Sequence, residues 1–341
     1  MAPRLSICIA TMNRGSFLGQ TLDSILAQAT DEVEVVVVDG GSVDDTGEVV
    51  RQRQERFPRL RYFRLPAPGG VDQDFDRAVQ QAEGRHCWLM SDDDLVKPGA
   101  LAAVLAATAR GYALVVVNAE VRDAALDEVL EANRLNIDAD RQYRPEDAER
   151  LFVDTAGYLS FIGGVVIDRE VWRAREPRRY FGSLFIHVGV IFQSPLPGDA
   201  LAIAQPLVSI RFGNALWTAR TFEIWMFKWP EMVWSLPHFS DAAKRRVCPR
   251  EPWRRLRTLL VNRARGAFST AEYRKWLEPR LTSGPQRLLA RAVAGLPPRP
   301  LAVLAAIYYS MFYGRSRGLL ADSLGVRWPS PWRRPRAPES R

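Results

Sequence analysis
Three consecutive carboxylates, Asp92, Asp93 and Asp94, follow directly on the apolar run HCWLM. Adjacent negative charges repel one another, and the end of a strand gives no structural reason to gather them. A divalent cation offsets that repulsion. Mg2+ or Mn2+ prefers hard oxygen ligands and takes one or two protein carboxylates together with substrate phosphates. The competing reading is a solvated turn that caps the helix opening near Pro98. A second candidate is Asp39, which ends the run VEVVVVD and precedes GGSVDDT. Gly40 and Gly41 permit a tight turn and a close backbone approach. Asp39 can accept hydrogen bonds from a nucleobase edge; Asp44 or Asp45 can meet a ribose, although plain helix capping is the favoured reading for both. A third group is Thr11, Asn13 and Arg14 in ATMNR, where the guanidinium suits a diphosphate or ribose.

These residues fall at the ends of strand-like runs. LSICIAT, VEVVVVD, LRYFRL, HCWLM and ALVVVN are short and apolar, and helical patterns separate them. Leu18, Leu22, Ile25 and Leu26 share one helical face, Gly84 closes a later helix, and Pro98 and Gly111 bracket the next. Such alternation predicts an α/β fold with a mostly parallel sheet flanked by helices. VEVVVVD reads as a strand buried on both faces. In open sheets of this kind ligands bind outside the carboxyl ends of the strands, so three weak signals converge on one rim. After Asn118 the pattern loosens: residues 119–160 read as loosely helical, and GGVVI and ALAIAQPLVSI as further strands.

Across 341 residues, 47% hydrophobic and 25% charged, the composition excludes a disordered or collagen-like chain. Three scattered cysteines make no disulfide framework and no zinc motif. The net charge of +8 is uneven: residues 244–341 hold 22 Lys and Arg against 5 Asp and Glu, and the rest of the chain is net acidic. This basic, amphipathic segment is expected to meet an anionic membrane surface; a solvated basic helical face is the plainer alternative. No nucleic-acid module is present, so nucleic acid is not an expected partner. No targeting peptide is read in the opening residues, and the apolar stretch Leu301–Tyr313 is too short to span a bilayer. Residues 1–240 are taken as one domain, with halves 1–120 and 121–240, and residues 241–341 as a helical extension.

ATMNR, VVVVDGGSVDDT and WLMSDDDLVKPGAL together resemble the nucleotide-sugar-binding half of family-2 glycosyltransferases with the GT-A fold. The resemblance is specific over residues 1–120 and looser to about 235. It implies that Asp39 meets a pyrimidine base and that Asp93, with Asp92 or Asp94, binds a divalent cation and the diphosphate. The motif's usual first Asp falls at Ser91, which leaves open which two of the three bind. The assignment taken here makes Asp93 and Asp94 the metal ligands. Thr11, Asn13, Arg14, Asp39, Asp72 and Asp92 then contact the nucleotide sugar. GGVDQDFDRAV (with Asp72), FIGG and GNALW are most similar to abequosyltransferase-like enzymes. That finer likeness implies a deoxyhexose donor and a polyprenyl-diphosphate-linked acceptor in O-antigen synthesis, at the cytoplasmic face of the membrane.

Inverting transfer needs a base for the acceptor hydroxyl. The family's Glu-Asp pair has no counterpart in FGSLFIHVGVIFQ, and His187 stands where the base is expected. Its apolar neighbours fit a buried histidine equally well. Asp199 and Glu223 are the other candidates. Gly163, Gly164, Asn214 and Trp217 are assigned to the acceptor side or a lid, while Trp225, Trp229 and Trp234 read first as core. Two alternatives stand beside the transferase: a nucleotidyltransferase, disfavoured because no glycine-rich loop follows the first strand, and an inactive sugar- or lipid-binding module.

Overall fold
The computed structural model describes residues 2–214 and 218–304. The strands are β1 (Leu5–Thr11), β2 (Val33–Asp39), β3 (Leu60–Arg64), β4 (His86–Met90), β5 (Leu95–Val96), β6 (Leu114–Arg122), β7 (Val129–Glu131), β8 (Arg141–Tyr143), β9 (Val165–Asp168) and β10 (Ala200–Arg211). They form one sheet of order β3-β2-β1-β4-β9-β6-β10-β5, with β7 on β6 and β8 on β10. β1 lies parallel to β2 and β4, and β2 parallel to β3. β9 runs antiparallel to both β4 and β6, which leaves β4, β6 and β10 pointing the same way.

Helices cover both faces: α1 (Gly15–Leu26), α2 (Thr46–Gln54), α3 (Val71–Gln81), α4 (Ala100–Thr108), α5 (Ala148–Thr155), α6 (Arg169–Arg173) and α7 (Ile186–Phe192). The strand period of two sorts neighbouring side chains into separate cores. Ile7, Ile9, Val35, Val37, Trp88 and Met90 pack with Leu18, Leu22 and Ile25 of α1 and Val104 of α4. Cys8, Val36, Val38, Cys87 and Leu89 pack with Phe75 and Val79 of α3 and with Val188 and Ile191 of α7. All seven residues of β2 are buried, as its unbroken apolar run requires.

The chain divides into two compact units. The described residues of the first are 2–214 and 223–252; those of the second are 218–222 and 253–304. The division therefore falls at Trp253 and not at residue 241. The helix Asp241–Val247 belongs to the first unit, and the Ser240 N–H that precedes it donates to Glu149 on α5 at 3.1 Å. Residues 119–160, read from the sequence as loosely helical, instead continue β6 to Arg122, add β7 and β8, and turn helical at α5. Trp229 is core, and its ring packs on Phe185 at 4.9 Å and on Trp225 at 6.1 Å. Among the described residues no helix is long and apolar enough to cross a membrane. Trp217 and most of the apolar stretch 301–313 lie outside the described residues.

Candidate active site at the carboxyl rim of the sheet
Parallel pairing of β1 with β2 and β4 brings the turns after Thr11, Asp39 and Met90 to a common edge. The ends of β6 and β10 and the start of β9 reach the same edge. The first two turns are sewn together. Asn13 adopts a left-handed backbone (φ 55°). Its Oδ1 accepts from the Val43 N–H at 2.8 Å, and its own N–H donates to Ser42 Oγ at 2.8 Å. The Arg14 N–H donates to Thr46 Oγ1 at 3.0 Å. Asp44 accepts from the Gly15 N–H at 3.2 Å and from Thr46, a capping role at the start of α1.

Asp39 is fully buried and organises its own turn. Its Oδ1 accepts from the Gly41 and Ser42 N–H groups, at 3.0 and 2.8 Å, and from the Ser42 hydroxyl at 2.6 Å. Its Oδ2 accepts from Tyr62 Oη. Burial and this bond to Asp39 push the Tyr62 phenol upward. A nucleobase would thus meet an Asp39–Tyr62 pair, not a free carboxylate.

The three aspartates part company. Asp94 turns inward: Oδ2 accepts from Ser91 Oγ and Oδ1 from the Arg211 N–H at 2.8 Å. Burial, and then the negative charge of Asp93, push its carboxyl up to about 7. Asp92 and Asp93 stay at the rim, with side chains 15% and 17% exposed. Between them lies the Arg14 guanidinium. Its Nε donates to Asp92 Oδ1 at 3.4 Å, its Nη2 to Asp93 Oδ2, and its Nη1 to the Asn214 carbonyl at 3.3 Å. Thr11 Oγ1 donates to Asp92 Oδ2 at 2.7 Å, and Asn214 Nδ2 to Asp93 Oδ2 at 2.9 Å. Burial, with Asp93 alongside, raises the Asp92 carboxyl to about 6.

Arg211 is a support that the sequence reading missed. Its Nε donates to the Asp93 carbonyl at 3.1 Å, its Nη1 to the Ala124 carbonyl at 2.8 Å, and its Nη2 to Gln20 Oε1. Phe17 lies near both guanidinium groups, with Arg14 4.4 Å and Arg211 5.3 Å from the ring centre. The available signal was an arginine closing a long strand, SIRFGN, that ends at the shared rim.

Residues 6–137 match the family described as Glycosyl transferase family 2. Those residues form a glycosyltransferase family 2 domain. Its fold is that of the GT-A enzymes. The chain is similar to S. aureus TarS 1-349 in complex with UDP, with a TM-score of 0.54 at 15% identity over 94% of this chain and 89% of that one. A mannosyltransferase from Pyrobaculum calidifontis, in complex with GDP-Man and Mn2+, gives 0.51 at 16% identity over 95% and 86%. Among curated relatives, the GalNAc(5)-diNAcBac-PP-undecaprenol beta-1,3-glucosyltransferase of Campylobacter jejuni is 32% identical over 117 residues. Those residues are 34% of this chain and only 38% of that protein. An abequosyltransferase of Salmonella typhimurium is 25% identical over 224 residues, 62% of this chain and 67% of that one.

Other expected site residues go elsewhere. Asp72 is buried and accepts from the Leu184 and Ile186 N–H groups at 2.9 and 3.2 Å, stapling α3 to the start of α7; burial raises its carboxyl. His187 is 2% exposed and lies inside a core. Its Nε2 is 2.7 Å from the Leu159 carbonyl, and its Nδ1 is buried without a partner. Burial pushes it down to about 4, so it is neutral at ordinary pH. Asp199 stands at the opposite edge of the sheet, before the paired starts of β10 and β6, and accepts from Gln142 at 2.6 Å. Glu223 lies 3.9 Å from Lys228, whose Nζ also donates to the Gly182 carbonyl. None of these hydrogen bonds or ion pairs joins His187, Asp199 or Glu223 to the Arg14 cluster.

Gly163 and Gly164 do reach the rim, because Val165 pairs with Leu89 at the end of β4. The Trp88 indole donates to the Gly163 carbonyl at 2.9 Å. A Cβ on Gly164 would come within 2.8 Å of the Tyr158 ring. Both glycines are buried and serve close packing beside the site.

Proposed function
We propose that this glycosyltransferase binds a nucleoside-diphosphate sugar at the carboxyl rim and passes the sugar, a deoxyhexose, with inversion to a polyprenyl-diphosphate-linked saccharide in bacterial surface polysaccharide synthesis. The observation that carries the reading is the Arg14 guanidinium set between Asp92 and Asp93 and fastened to Asn214, beside the two turns of Asn13 and Asp39. The acceptor class is supported by the Campylobacter relative, whose name includes a PP-undecaprenol-linked glycan. The deoxyhexose is supported by the abequosyltransferase likeness, which extends well past the family-matched residues. The basic segment 244–341 supports work at the cytoplasmic membrane face, where each basic residue contributes on the order of 1 kcal/mol.

A divalent cation fits Asp92 and Asp93. Their oxygens are hard ligands at the rim; burial is the larger cause of the upward shift of Asp92, and a cation would relieve the part that comes from the charge of Asp93. Asp94 is withdrawn from the set by its bonds to Ser91 and Arg211. Among the described residues no three His, Cys, Asp or Glu side chains group as a metal cage, so the substrate's phosphates would complete the shell. When bound, the cation supplies charge neutralisation for the departing diphosphate. Arg14, held between Asp92 and Asp93, would add positive charge beside the same diphosphate, and Thr11 fixes the orientation of Asp92.

The test is Asp93→Asn, assayed for sugar transfer from a panel of nucleotide sugars. Activity is expected to fall at least about 100-fold with the thermal midpoint retained. Full turnover in that variant would remove Asp93 from the reaction.

A further inference from the structure
The first unit carries an open depression of about 690 Å3, lined by Asp76 and Gln80 of α3 and by residues between Arg173 and Arg179. Four arginines, Arg173, Arg175, Arg178 and Arg179, line it together with two carboxylates, Asp76 and Glu176. Asp76 is already engaged, its Oδ1 accepting from the Trp172 indole at 2.9 Å. Arg173 pairs with Glu170 at 3.4 Å. Arg175 is fixed by donating to the Ser194 and Pro195 carbonyls at 3.1 and 2.9 Å, and its Nε is buried without a partner. Arg178 and Arg179 are exposed, and among the described residues neither has a carboxylate within 4.0 Å.

The arginine pair rides on a rigid turn. Pro177 opens the turn Pro177–Tyr180, and Tyr180 is buried. The Tyr180 ring lies so close on Gly189 that a Cβ there would come within 2.3 Å of it. Two guanidinium groups thus line a hollow in which, among the described residues, neither has an ion-pair partner and four arginines outnumber the two carboxylates, Asp76 and Glu176. An excess of positive charge gathered in this way attracts an anion. The planar fork of arginine matches phosphate oxygens, and charge-assisted bonds to phosphate are the strong kind.

We propose that this depression is a second ligand site, which takes phosphate groups through Arg178 and Arg179. It uses none of the rim residues, and its test does not depend on sugar transfer, so it stands or falls apart from the reading of the rim. The experiment compares the full-length protein with Arg178→Gln/Arg179→Gln. The control, Arg56→Gln/Arg110→Gln, removes the same charge from exposed positions elsewhere. Calorimetric titration with inorganic diphosphate in EDTA is expected to show affinity at least tenfold weaker in the Arg178/Arg179 variant than in the control. Equal affinity in the two variants overturns the site. Flotation with phosphatidylglycerol vesicles, against phosphatidylcholine vesicles, then separates the sources. A loss beyond the control's identifies a lipid headgroup as the ligand. A loss equal to the control's, with diphosphate binding weakened, identifies a free phosphate compound.

Discussion

A single guanidinium between Asp92 and Asp93 neutralises one of two crowded charges and leaves the pair net negative. With the Arg14 side chain 7% exposed, its removal strands both carboxylates in a poorly solvated place. Breaking a buried pair in this way costs about 3 kcal/mol. Arg14→Gln is therefore expected to lower the thermal midpoint, and Mn2+ is expected to restore more stability to the variant than it adds to the wild type. If Mn2+ stabilises the variant no better, the two carboxylates are not the cation's ligands. His187 makes a separate residue-scale prediction. Its folded value of about 4 lies below the ordinary 6.5, so between those values the unfolded chain binds a proton that the folded protein does not. Stability then falls as the pH drops from 6.5 and stops falling from this source near 4. From pH 6.5 to 5 the loss is ~2 kcal/mol. Urea unfolding at both pH values should show that loss in the wild type and not in His187→Gln. Equal pH slopes would mean that the imidazole titrates freely, as a rim base would.

Asp72 shows how one element sets another. Its carboxylate satisfies two backbone N–H groups where α7 begins. Asp72→Ala leaves those donors unpaired in a buried place and is expected to cost about 1–3 kcal/mol. Nucleotide-sugar affinity, measured below the new melting temperature, should stay within twofold of wild type. A selective loss of affinity with unchanged stability would return Asp72 to the donor site. The same elements show what the sequence can carry. VEVVVVD could only be a strand buried on both faces, and its neighbours LSICIAT and HCWLM follow from βαβ connection rules, so the rim was legible. β9 was legible as a strand in GGVVI but not in direction, because a short apolar run pairs equally well either way and long-range contacts with β4 and β6 decide it. Nor could three identical aspartates be told apart. Asp94 turns inward because it meets the N–H of Arg211, 117 residues away. His187 among Phe185, Ile186, Val188 and Val190 fitted a catalytic base or a core residue, and packing of α7 against the sheet chose the core.

At the scale of the molecule, the rim joins turns from β1, β2, β4 and β10, strands whose side chains fill both cores of the first unit. A ligand held there binds the folded form and not the unfolded chain, so it stabilises the unit that those strands build. At a concentration a hundred times Kd the gain is about 2.7 kcal/mol. For a unit of this size that is a rise of roughly 5–10 °C in melting temperature. Nucleoside diphosphates with uracil, cytosine, thymine and guanine, each with and without Mn2+, should separate in their effects. On the proposed reading the base meets the buried Asp39–Tyr62 pair, a carboxylate acceptor beside a phenol, which favours a pyrimidine carrying an imide N–H over a purine. The largest shift is expected from a uracil or thymine diphosphate with Mn2+, and it should vanish in Asp93→Asn. A purine diphosphate in first place would mean that Asp39 only braces its turn. No shift from any of them would leave the rim without its nucleotide.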